Sequence, residues 1–309
     1  MSPDPVEPQG LPGKALRDDS LDRVMVVGAT GLVGSHLVSA LQEDYIVHSV
    51  SSTSAGAAGL AVKHHAVDLA SAWSPDELPD EVEAVVYLAQ SSRFRDLSEQ
   101  ALHVFSVNTA SVVAMMDYAH RAGARKFIFA SSGGVYPDRS EPLSEQMLVT
   151  PAGIRDFYSA TKLSSEILLE AAAGQIDLTI LRIFFAYGRS QGEDMLIPRL
   201  VSRVREGVPV TLRGQEGFRL NPIHVSDVVR AIEASLSLPG THTINLAGPQ
   251  IHTLREVAFI IGEHLGRQPL FEFEEEGSGP ESLVGDITKM SRLLAPPERT
   301  FVEGVMDLL

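Results

Sequence analysis

Apolar runs and amphipathic stretches alternate through the first two thirds of the chain. "RVMVVGA" (23–29) is a continuous apolar run of strand length, and "GSHLVSALQED", from Gly34, follows with apolar residues at helical spacing. Further strands are predicted at "YIVHSVS" (45–51), "AVKHHAVDL" (61–69), "VEAVVYLAQ" (82–90), "KFIFASS" (126–132) and "LTILRIFFAYG" (178–188). Helices fit between them, notably around 98–122 and 157–173. Strands that are apolar throughout, alternating with helices, predict an α/β fold with a parallel, doubly wound Rossmann-type sheet covered on both faces.

After Gly188 the texture changes. Gly and Pro become frequent, a helix fits 195–207, and "FEFEEEGSGPES" (271–282) reads as an acidic loop. This predicts a smaller C-terminal substrate-binding region (188–219 and 248–309) laid over a dinucleotide-binding domain (22–187), with 220–247 returning to that domain. Residues 1–21, rich in proline and acid, read as a flexible tail without a signal-peptide core.

The chain has 309 residues, enough for one large domain with additions. Its formal charge of −15 argues against a general nucleic-acid partner, because no broad basic face can be assembled. The absence of cysteine removes disulfides, thiolate nucleophiles and cysteine-ligated metals. No apolar run approaches the roughly 18 residues of a membrane span. A cytoplasmic protein with a small-molecule substrate is expected. The ten histidines form no convincing metal set, so no metal is expected.

"GATGLVG" places Gly28, Gly31 and Gly34 between the first strand and its helix, together with Thr30, Leu32 and Val33. Glycines there permit a tight turn and close approach of a pyrophosphate to the helix N-terminus. The second strand ends at Ser51, where NAD-binding sheets often carry an acid for the ribose diol. Ser51, Ser52 and Thr53 are neutral donors, so NADP fits slightly better than NAD. Asp68, with Leu69 beside it, is placed either to accept from the adenine amino group or to cap a helix. Leu88, Ala89 and Gln90 end the fourth strand beside the nicotinamide. Ser91, Ser92 and Arg93 continue that cleft wall, or form a structural loop.

"YSATK" sets Tyr158 and Lys162 one helical turn apart on the same face. A nearby ammonium stabilises phenolate and lowers the phenol pKa from about 10. Ser132, in "ASSGGVY", supplies a hydroxyl at the end of a strand.

In order, "GATGLVG", "DL", "YLAQ", "VNTAS", "ASSGGVY", "YSATK", "LRIFFAYG" and "NPIHVSDVV" resemble the extended short-chain dehydrogenases/reductases, which include the NAD-dependent epimerase/dehydratase family. The resemblance implies catalytic roles for Ser132, Tyr158 and Lys162, with the loop glycines and Lys162 on the dinucleotide. It also implies that Asn108 steadies the central helix beside the cofactor. By resemblance His224 is structural and Asp227 starts a helix. The helices at 98–122 and 157–173 match a dimeric four-helix bundle, so a homodimer is expected.

Departures from the family pattern narrow the reaction. Dehydratases carry an Asp–Glu pair after the serine or threonine. Gly133 and Gly134 stand there, and glycine cannot move a proton. Simple redox remains: a ketoreductase acting on a sugar or sugar-like ketone, with a nucleotide-sugar 4-epimerase retaining its NAD as the alternative. Non-catalytic cofactor sensing is a third reading. Phe185 replaces an asparagine that lies near the nucleotide diphosphate in relatives, Arg189 replaces a proline, and Leu220 replaces a phosphate-binding arginine. Arg189, Arg213 or Arg219 would substitute as anion-binding residues, or are solvated surface cations. Gly133 and Phe185 are expected on the substrate side, with Ser91 and Arg93.

Overall fold

The computed structural model describes residues 22–53, 62–94, 97–274 and 282–309. The expected tail 1–21 and part of the acidic stretch lie outside these residues. In chain order the first elements are β1 (Arg23–Val27), α1 (Leu32–Leu41), β2 (Ile46–Ser51), β3 (Lys63–Ala66) and β4 (Ala84–Tyr87). There follow α2 (Leu97–Phe105), α3 (Ser111–Arg121), β5 (Lys126–Ser132), α4 (Phe157–Ala172), β6 (Asp177–Ile183) and α5 (Leu196–Glu206). Next come β7 (Val210–Arg213), β8 (Arg219–Leu220), α6 (Val225–Leu236), β9 (His242–Leu246), β10 (His252–Thr253) and α7 (Leu254–Leu265). The chain closes with β11 (Phe271–Glu274), β12 (Ser282–Leu283), α8 (Thr288–Leu293) and α9 (Phe301–Gly304).

Seven strands form one parallel sheet in the order β3-β2-β1-β4-β5-β6-β9. The expected Rossmann-type sheet is present. Strand order reverses between β1 and β4, and in such sheets ligands bind at the carboxyl ends beside that reversal. Alternate side chains of the central strands fill two cores. Val27, Tyr87, Phe127 and Phe129 pack with Met115 and Leu169 of α3 and α4. Val26, Val86, Ile128 and Leu181 pack with Leu37 of α1 and Ile232 of α6 on the other face. Burial on both faces is why these strands read as unbroken apolar runs.

Three expectations change. The helix expected over 98–122 is interrupted by a π-helical turn, Ser106–Ala110, that carries Asn108. The strand expected to reach Gly188 stops at Ile183, because Phe185 takes a left-handed φ of 47° and leaves the pleat. "FEFE" is a strand rather than loop: β11 pairs in parallel with β7, from Phe271↔Val210 to Glu274↔Arg213. Beyond the main sheet, Leu200 and Val204 of α5 pack with Val257 and Ile261 of α7 and with Phe301, forming a third core that overhangs the sheet.

Candidate active site

The glycine turn shows why each position is glycine. Gly28 has φ +89°, and a Cβ there would lie 2.6 Å from Ala89 N. A Cβ on Gly34 would lie 2.2 Å from Gly28 O. Gly31 differs: its Cβ would meet only Gly28 O, at an ordinary 3.4 Å, so packing does not demand glycine there. Gly31 lines the cleft and is the N-cap of α1, which has neither a side-chain cap nor an acid in its first turn. This is the cradle an approaching pyrophosphate needs: open backbone at the positive end of a helix dipole. The residues present fit a dinucleotide.

Asp156 starts α4 by accepting from Ser159 N at 2.7 Å. That cap sets the register that brings Tyr158 and Lys162 to the carboxyl end of β5. Lys162 is buried, with its Nζ donating to Ala130 O at 2.8 Å and lying 5.0 Å from the Phe129 ring centre. The same Nζ lies 5.9 Å from the centre of the Tyr158 ring. Ser132 ends β5 with its Oγ accepting from Gly134 N at 3.1 Å. The three expected catalytic residues therefore share one cleft of about 710 Å³.

The electrostatics differ from the expectation that lysine depresses the phenol. Burial pushes Tyr158 up to about 12, against a lowering hydrogen bond from Ser132, while Asp156 adds to the rise. Burial brings Lys162 down to about 7, although Glu166 works against that shift. Desolvation disfavours both charged forms and is the largest cause of each shift.

Of the expected cofactor residues, Gly28, Gly31, Leu32, Val33, Gly34, Leu88 and Gln90 line the cleft with Tyr158 and Lys162. Ala89 is buried behind it as the backbone against which Gly28 closes. Thr30, Ser51, Ser52, Asp68 and Leu69 lie outside its lining. Ser51 and Asp68 are near neighbours through Val67 N, which donates to Ser51 O at 3.0 Å. The Ser51 hydroxyl donates to Thr53 O at 2.7 Å, so this one of the three expected donors is engaged within its own turn. Asp68 caps its own turn, accepting from Ala70 N at 3.0 Å.

Asn108 is fully buried and does not open on the cleft. Its Oδ1 accepts from Ser91 N (2.9 Å), its Nδ2 donates to Thr161 Oγ1 (3.2 Å), and its carbonyl accepts from Ser165 (2.6 Å). It ties the loop after β4 to α4. Ser91 is likewise turned inward, to His103 at 2.8 Å and to Arg93 N at 3.1 Å. Ser91, Arg93, Arg189 and Arg219 are not lining residues, whereas Gly133 and Phe185 are. Leu220 is fully buried in β8, so it offers no polar contact to a ligand.

Sequence reasoning missed Phe94, Arg155, Asp156, Gln191, Asp194 and the start of α5 as cleft residues. Arg155 had a signal, since it precedes Tyr158, the expected catalytic tyrosine, by three residues. Phe94, Gln191 and Asp194 come from loops with no periodicity to read. Gly133 also gains a reason: a Cβ there would lie 2.5 Å from the Phe184 ring, so a side chain fits only if that ring shifts. Among the described residues no group of three or more His, Cys, Asp or Glu is placed to hold a metal. No helix among them is long and apolar enough to cross a membrane.

Comparison with known proteins agrees with this geometry. A sequence model of the NAD dependent epimerase/dehydratase family matches residues 24–247. The uncharacterized UDP-glucose epimerase YtcB of Bacillus subtilis is 26% identical over 88% of this chain and 92% of its own length. UDP-glucuronic acid decarboxylase 1 of Xenopus tropicalis is 26% identical over 92% of this chain and 70% of its own. Among solved structures, MoeE5 in complex with UDP-glucuronic acid and NAD superposes with a TM-score of 0.81 at 27% identity, covering 92% of this chain and 97% of that one. UDP-glucuronic acid 4-epimerase from Bacillus cereus, at 23% identity, shares the fold with a TM-score of 0.82 over 92% of this chain and 97% of its own.

Proposed function

The chain belongs to the NAD dependent epimerase/dehydratase family, and from that premise we propose that it is an NAD-dependent epimerase acting on a nucleotide-linked sugar. The observation that carries the reading is that two helices present their N-terminal ends to one cleft. The first turn of α1 lines it at Leu32 and Val33, and that of α5 lines it at Leu196 and Ile197, neither turn carrying an acid. One dipole suits the pyrophosphate of a dinucleotide, the other the diphosphate of a sugar nucleotide. The start of α5 supplies what Phe185 and Leu220 do not.

NAD, which Gly31 and the first turn of α1 would hold, would supply reversible hydride transfer at a carbinol carbon, with the two transfers on opposite faces of the ketone. Tyr158 removes the hydroxyl proton and later gives it back. Ser132 orients the same oxygen. Lys162 offers its amine for a ribose hydroxyl, and its charge counters the phenolate when both are ionised. With glycines at 133 and 134, no side chain there serves as acid or base for elimination. The solved relative named with NAD favours NAD over NADP. The Bacillus subtilis relative named an epimerase supports epimerisation over the net ketone reduction expected from sequence.

We assign residues 188–219 and 248–309 as the substrate-binding region, and the homodimer is retained as part of the proposal. Leu102, Phe105 and Val113 on α2 and α3, and Ile167 and Leu168 on α4, are exposed, with Leu102 at 77% and Ile167 at 59%. Apolar faces of that kind suit burial against a second copy.

The test is to incubate the purified protein with NAD and UDP-glucose or UDP-glucuronic acid, then separate the products. Appearance of the C4 epimer without net cofactor reduction is expected. Accumulation of a ketone with stoichiometric cofactor turnover would replace this reading with an oxidoreductase.

A further inference from the structure

The phenol of Tyr158 donates to the side-chain oxygen of Gln90 at 3.2 Å. Gln90 stands three residues beyond the end of β4, exposed on the cleft wall beside Ser92 and Phe94. The Phe94 ring packs against Tyr158 with centroids 5.2 Å apart. The phenolic oxygen is therefore held between an amide oxygen that can only accept from it and the Ser132 hydroxyl.

We propose that Gln90 is a positioning residue for Tyr158, accepting its O–H whenever no substrate oxygen occupies that place. The inference rests on the epimerase reading in one respect. The oxidised sugar must turn over in the site between the two hydride transfers, and during that interval Tyr158 loses its substrate partner. Gln90 keeps the protonated phenol aimed at the cleft until the ketone returns.

The two polar neighbours act in opposite directions. An acceptor stabilises the protonated phenol, and a hydroxyl that donates stabilises phenolate. The charged groups on the same walls are Lys162 and Asp156 of α4, Arg155 just before the cap, and Asp194 on the loop leading to α5. Each of them acts through charge, and all four are unchanged by substitution at Gln90.

The experiment follows phenolate absorbance, with and without NAD, taking the share of Tyr158 by subtracting the spectrum of Tyr158→Phe. A neutral hydrogen bond of about 0.5–1.5 kcal/mol corresponds to about 0.4–1 pH unit. At a pH below the midpoint, Gln90→Ala should therefore raise the phenolate fraction about three- to tenfold. Gln90→Glu keeps an acceptor and adds negative charge, so it should lower the fraction below wild type. The acid limb of kcat/KM should shift to lower pH in Gln90→Ala and to higher pH in Gln90→Glu. Folded variants with unchanged phenolate and an unchanged limb would overturn the proposal. If the wild type makes no epimer while the phenolate responses appear, the positioning role stands and the epimerase reading falls.

Discussion

The carboxylate of Glu166 grips the guanidinium of Arg182 from both sides, accepting from Nε at 3.0 Å and from Nη2 at 2.6 Å. The pair is buried one turn beyond Lys162, and Ser131 donates to the same carboxylate. Arg182 also stacks on the Tyr136 ring at 4.7 Å. Removing one member of a buried pair leaves the other charge uncompensated, which costs about 3–5 kcal/mol. Glu166→Gln should therefore lower the unfolding free energy, read from urea denaturation, by that order. The double substitution Glu166→Leu with Arg182→Met should cost less than the single one, and equilibrium unfolding of both measures the difference.

Tyr158→Phe removes the proton-transfer oxygen and leaves the ring against Phe94. Turnover should fall by about 10²–10⁴-fold, the usual range for a positioned acid–base group. Cofactor affinity, read by fluorescence titration, should stay within about twofold. Near-native turnover would take Tyr158 out of the mechanism.

Lys162, proposed to serve the site, is buried at a cost in stability. Its pKa is lowered by burial from 10.5 to about 7, so the fold favours the neutral amine. Between about pH 7 and 10.5 the unfolded chain holds a proton that the folded chain has released, so stability rises with pH across that window. Lys162→Met should abolish the rise and stabilise the inactive protein at neutral pH by about 1–3 kcal/mol. Denaturation midpoints at three pH values would test both parts.

A second window lies on the acid side, at the sheet edge. His48 Nδ1 and His65 Nε2 lie 3.0 Å apart, and His65 Nδ1 donates to Glu77 O at 3.1 Å. With both rings neutral, that donation leaves His65 Nε2 as acceptor and makes His48 Nδ1–H the donor. Burial lowers His48 from 6.5 to about 4, with His65 adding to the shift, and burial lowers His65 as well. Between about pH 6.5 and 4 the unfolded chain binds protons that the folded chain refuses, and stability falls as pH drops through that range. The wild type should lose on the order of 2–3 kcal/mol there that His48→Phe does not lose. Parallel acid titrations of stability would show it.

Much of this was legible in the chain because parallel strands buried on both faces leave unbroken apolar runs, and because the catalytic residues lie within short motifs. Boundaries overran where backbone geometry, invisible to hydropathy, ended an element, as at Phe185. The π turn around Asn108 kept its apolar pattern and so read as ordinary helix. β11 was hidden because its residues are half-buried at most and rich in glutamate. The cleft walls were the least readable part: Phe94, Gln191 and Asp194 come from separate loops, and Ser91 reads as a polar wall residue but is turned inward to His103. The direction of the Tyr158 shift was missed for a related reason. Spacing places a lysine beside a phenol but carries no measure of how much water both have lost.

The contact between Gly133 and the edge of Phe184 couples two positions. The first carbon of any side chain at 133 would lie 2.5 Å from an aromatic ring rooted at the neighbouring strand's end, so the ring must shift before a carboxylate fits there. Acquiring such a group therefore draws a second residue into the change.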